Sequence, residues 1–161
     1  MELLFPCKAI SLSDAKVGSL VAFTDEEVTH YGVVCIKEMH GPSHLSIIEL
    51  TPQRKRSVDI QNATNILELA NARIDLVPSN LQNQTFEIPK NGTELLGLEG
   101  DKIVAPYGVP YGPFQVANLS TGQSNVELDT HRTIWFPHWR IVIDDGHQCK
   151  VLYDSLVQVT K

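Results

Sequence analysis

The run Trp139-Arg-Ile-Val-Ile-Asp-Asp-Gly-His-Gln-Cys-Lys-Val-Leu-Tyr153 carries the strongest local signal in the chain. Trp139, Ile141 and Ile143 alternate with Arg140, Val142 and Asp144, so the two sets point to opposite faces of a strand. Asp145-Gly146 supplies a turn that requires positive φ, and a second apolar strand returns from it. This stretch predicts a β-hairpin with one buried face.

Working outward, similar short apolar stretches recur. They are Ser19–Phe23, Tyr31–Ile36, Leu45–Leu50, Lys102–Ala105, Phe114–Asn118, Asn125–Leu128, Thr133–Phe136, Trp139–Asp144, Cys149–Tyr153 and Leu156–Thr160. Each is short, rich in Val, Ile or aromatic residues, and bounded by turn residues, which is strand chemistry. Phe23–Tyr31 reads as a second hairpin with an acidic tip at Asp25–Glu27, and Ser120–Gln123 as a third turn. Spacing of roughly 8–12 residues between turn signals predicts an all-β barrel or sandwich. The string Lys16-Val-Gly-Ser-Leu-Val-Ala-Phe23, followed by Tyr31-Gly-Val-Val34, resembles the opening strands of SH3-like small barrels in general. That string names no family.

One segment has a helical period. Ile60, Ala63, Leu67, Ala70 and Ile74 are spaced three and four apart, which predicts a short helix near 60–73. Asp59 would cap it and Val77-Pro78 would stop it. The polar stretch 79–92 reads as a connection, with one strand at Thr85–Ile88. The expected organisation is an N-terminal β unit over 1–78 and a C-terminal unit over 93–161, the two sharing one core if neither suffices alone. A faint repeat spans that boundary: Gly18–Phe23 is echoed by Gly100–Ala105, and Tyr31–Ile36 by Tyr111–Val116.

Nineteen acidic and thirteen basic residues leave a net charge of -6. Such a balance disfavours nucleic-acid binding, which draws on clustered Lys and Arg; the one basic run, Arg54-Lys55-Arg56, reads as a solvated loop. No apolar run reaches the ~18–20 residues of a membrane helix, and the first residues lack the pattern of a secretory signal. Cys7, Cys35 and Cys149 are odd in number and widely spaced, unlike a disulfide framework. The expected compartment is the cytoplasm. Asn62, Asn83, Asn91 and Asn118 begin glycosylation-type triplets, which matter only in a secreted chain.

Two constellations compete as the functional centre. Tyr107, Tyr111, Phe114, Trp135 and Trp139 concentrate in the C-terminal half around a repeated Pro-Tyr-Gly. Proline stiffens and glycine kinks such a loop, and stiff aromatic loops lose little entropy on binding. The two tryptophans are expected on one strand face. The expected function is a non-catalytic binding or assembly protein, using these residues toward a protein partner or a second copy. An acidic inhibitor is a variant of that class, and the competing reading makes the same rings core. The second constellation is His30, Cys35, His40, His44 and Glu49. Cys35 with His30 would form an activated thiolate, and His40, His44 and Glu49 would ligate a metal, giving a small enzyme as the alternative. A third, weaker polar set comprises Asp129, His131, Arg132, His138, Arg140, Asp144, Asp145 and His147. No nucleotide or nucleophile-elbow motif occurs, and no cofactor is expected.

Overall fold

A computed structural model describes residues 7–25, 28–37, 43–51, 57–59, 64–78, 95–108, 114–129 and 131–156. The protein is mainly antiparallel β. In chain order the strands are β1 (Cys7–Ala9), β2 (Leu20–Asp25), β3 (Val28–Lys37), β4 (His44–Glu49), β5 (Ser57–Asp59), β6 (Thr64–Leu69), β7 (Ala72–Leu76), β8 (Leu96–Glu99), β9 (Lys102–Tyr107), β10 (Gln115–Asn118), β11 (Thr133–Phe136), β12 (Trp139–Asp144) and β13 (Cys149–Asp154). A 3-10 turn, Leu12–Asp14, precedes β2. Among the described residues no helix is long and apolar enough to cross a membrane.

The strands form three sheets, ordered β1-β6-β2-β3-β4-β5, β10-β9-β8-β11 and β13-β12-β7. Among the described residues none closes into a barrel: the six-stranded sheet ends on β1 and β5, each three residues long. The hairpin predicted from 139–153 is β12–β13, and Trp139, Ile141 and Ile143 are sealed in the interior. The stretch Asn125–Leu128 is not a strand. It makes one strand-like contact, Val126 N–H to the Val116 carbonyl at 2.9 Å.

The helix expected near 60–73 is replaced by β6 and β7; residues 60–63 lie outside the described residues. Asn71 adopts φ 59 at the turn between them, and Asn65 adopts φ 50. Both values leave the right-handed helical region, and asparagine tolerates them. After Asn71 the chain changes sheet: β6 pairs with β1 and β2, whereas β7 pairs with β12. Ala72, Ile74 and Leu76 alternate along β7 and all pack on the main core. Period-two burial therefore overrides the three-four spacing.

That core draws on every sheet. Leu20, Ala22, Val33, Cys35 and Ile48 come from the six-stranded sheet, Leu96, Ala105, Tyr107 and Ala117 from the four-stranded, and Trp139, Ile141 and Ile143 from the three-stranded. A second cluster, with Val21, Phe23, Val34, Ile47, Val58 and Ile66, occupies the opposite face of the six-stranded sheet under Leu12 and Ala15. The expected boundary at 79–92 lies outside the described residues. Within the repeat, Gly18 and Gly100 each precede a six-residue strand, β2 and β9. Tyr31 sits within β3, whereas Tyr111 lies outside the described residues.

The turn after β10 hooks onto β3. The Ile36 amide donates to the Gly122 carbonyl (2.8 Å), the Ser124 amide and hydroxyl donate to the Ile36 carbonyl (3.2 and 2.7 Å), and the Gly18 amide donates to the Val34 carbonyl (2.8 Å). Gly122 has φ 69, and a Cβ there would lie 2.6 Å from the Gly18 nitrogen and 2.8 Å from the Val34 oxygen. Backbone on both sides cannot yield as a side chain would. Gly146 has φ 86 but open space around it. Gly122→Ala is therefore expected to destabilise by at least about 2 kcal/mol, and Gly146→Ala by about 1 kcal/mol, the conformational term alone. Urea unfolding of the two variants checks this; equal losses would remove the steric argument.

Candidate functional site

Strand alternation turns most of the predicted rings inward. Tyr107 ends β9 fully buried and donates its hydroxyl to Gln115 Oε1 at 2.7 Å. Burial raises its phenol above the ordinary value, and a hydrogen bond with Ser124 offsets part of that rise. Trp139 is 1% exposed and tilts against Tyr153, with ring centroids 5.0 Å apart. Trp135 is also buried, but in a separate cluster with Val104 and Val116. The two tryptophans therefore do not share one strand face. β11 ends at Phe136, Pro137 interrupts, and β12 starts at Trp139 in another sheet. Tyr107, Trp135 and Trp139 are interior residues and present no ring surface to a partner. Phe114 does, at 44% exposure. Tyr111 lies outside the described residues.

The second constellation divides. His30 and Glu49 are brought together: His30 Nδ1 lies 2.5 Å from Glu49 Oε1, with Glu49 fully buried. The same nitrogen faces the Thr51 carbonyl at 3.3 Å, and the ring stacks on Phe23 at 5.5 Å. Two acceptors around Nδ1 assign the proton to that nitrogen. Cys35 is on the other face of β3, since an odd separation from His30 reverses the side chain. It is fully buried, and desolvation pushes its thiol up to about 12. A thiol so placed stays protonated at neutral pH, so the expected Cys35–His30 thiolate pair does not form. His44 opens β4 and Glu49 closes it. Five residues of strand separate them by roughly 17 Å, on opposite faces, so the expected ligand set of His40, His44 and Glu49 cannot converge. His40 itself lies outside the described residues, and among the described residues no three His, Cys, Asp or Glu side chains gather into a metal-binding group.

From the third set, His138 and Arg140 meet a residue that the sequence reading missed, Asp154. His138 Nε2 lies 2.9 Å from Asp154 Oδ1, and Arg140 Nε donates to Asp154 Oδ2 at 2.7 Å. The Leu156 amide adds 3.0 Å to Oδ1. A register shift between Ile141 and Val142 places Asp154 opposite Arg140; unbroken pairing from the turn would have put Tyr153 there. Ser155 Oγ accepts from the Trp139 amide at 2.9 Å and donates to the Pro137 carbonyl at 3.3 Å, so it is a clamp between strand ends. Asp144 and Asp145 serve the hairpin turn, accepting from the amides of Gly146, His147 and Gln148. Asp129 accepts from the His131 amide and pairs loosely with Arg132. Asn118 is equally committed. It is itself buried, and its side-chain oxygen accepts from the Ser120 and Thr121 amides of the turn.

These arrangements give two expectations. Desolvation opposes the Asp154 charge, but the Leu156 amide, Arg140 and His138 outweigh it and hold the carboxyl below its ordinary value. A depressed carboxyl contributes stability above the unfolded value of ~3.9, lost as pH falls through the lower folded value. Asp154→Asn should therefore lose about 1–3 kcal/mol at pH 7 and show a shallower fall in urea midpoint between pH 5 and pH 2; parallel curves would exclude Asp154 as the source. A thiol reagent on the native protein should label exposed Cys149 and leave Cys35 more than about a hundredfold slower until unfolding; rapid Cys35 labelling would contradict its burial. Comparison of the chain with protein-family models, with curated proteins and with solved structures found no match.

Proposed function

We propose that this protein is a non-catalytic binding or assembly module that works in the cytoplasm. Its contact surface is the Pro-Tyr-Gly loop between β9 and β10, with Phe114 and Tyr111 as anchors, and it takes a protein partner or a second copy of itself. The observation that carries the reading is how that loop is held. Tyr107 and Gln115 are the last opposed pair of the β9–β10 ladder. Their side chains are joined at 2.7 Å, and Tyr107 is rooted in the main core. The strand ends on either side of the Pro-Tyr-Gly sequence are thereby held in one stem, and proline fixes φ wherever it stands in that sequence. A proline- and aromatic-rich sequence loses little entropy on docking. Phe114 offers exposed apolar area at its base.

We take β2 to β6 as an SH3-like unit, supported by the order β6-β2-β3-β4-β5, in which the fifth strand of the run returns beside the first.

The test compares wild type with the Tyr111→Ala/Phe114→Ser double variant. Phe114 lies outside the sealed core, and the variant is expected to melt like wild type to within about 0.5 kcal/mol. Sedimentation velocity across concentration reads self-association. Quantitative affinity capture with either protein as bait reads a partner. A tenfold or greater loss in one of these is expected, about 1.4 kcal/mol of contact. A chain monomeric at every concentration, whose captured proteins are the same with the folded variant, overturns the proposal.

A further inference from the structure

We draw no further inference here: the strongest candidate, the inward-facing His30–Glu49 pair between β3 and β4, belongs to the site already described, and nothing in the structure shows what ligand would meet it.

Discussion

Everything in this molecule turns on the contact between the Asn118–Ser124 turn and the last half of β3. Hydrogen bonds of Ile36 with Gly122 and Ser124 stitch together two stretches of chain up to 88 residues apart, and the Gly18 amide holds the Val34 carbonyl beside them. The stitch closes only because Gly122 brings its backbone against Gly18 and Val34 with no side chain between. Closure sets the four-stranded sheet against the six-stranded one. Ala117 and Leu119, on either side of the turn's first residue, can then enter the same core as Val33 and Cys35.

The third sheet supplies the other constraint. β12 recruits β7 from the first half of the chain and β13 from the last. Trp139 is the keystone of that layer. An indole of this size removes ~150–250 Å² from water, an upper limit of about 4–6 kcal/mol at 25 cal/mol/Å². Its neighbour Tyr153 in turn approaches Tyr31 of β3, with centroids 6.4 Å apart. A line of rings thus crosses from the three-stranded sheet to the six-stranded one. The ends of the β12–β13 hairpin are fixed by charge: Asp154 gathers His138 and Arg140 where the strands would otherwise fray.

Strand chemistry was readable where alternation stands beside a local turn signal. Alternation announced β12, and the Asp145-Gly146 pair announced its turn, because both features are local. What stayed hidden depends on partners distant in sequence. The stretch around Leu67 and Ile74 has helical spacing, yet β1, β2 and β12 offer it hydrogen-bonded edges that no local window contains. Asp154 escaped notice because a one-residue bulge, invisible in the sequence, moves it opposite Arg140. Cys35 and His30 look like a reactive pair in a list of residues; their odd separation on one strand forbids it, a reading that alternation alone could have supplied. His30 and Glu49 stand nineteen positions apart and meet because β3 and β4 pair in the register Gly32 to Glu49.

The concentration of rings late in the chain is then explained by packing. The three- and four-stranded sheets are small, and a thin sheet fills the space to its neighbour with large side chains. Tyr107 and Trp139 do this in the main core, whereas Trp135 fills a separate cluster with Val104 and Val116. Composition alone could not separate rings spent on the core from rings left for recognition, because both choices raise the aromatic count equally. The separation lies in where each ring falls relative to a strand. Tyr107 is inside β9 and takes its inward register. Phe114 falls just ahead of β10, where no ladder position directs it inward, and it remains half exposed.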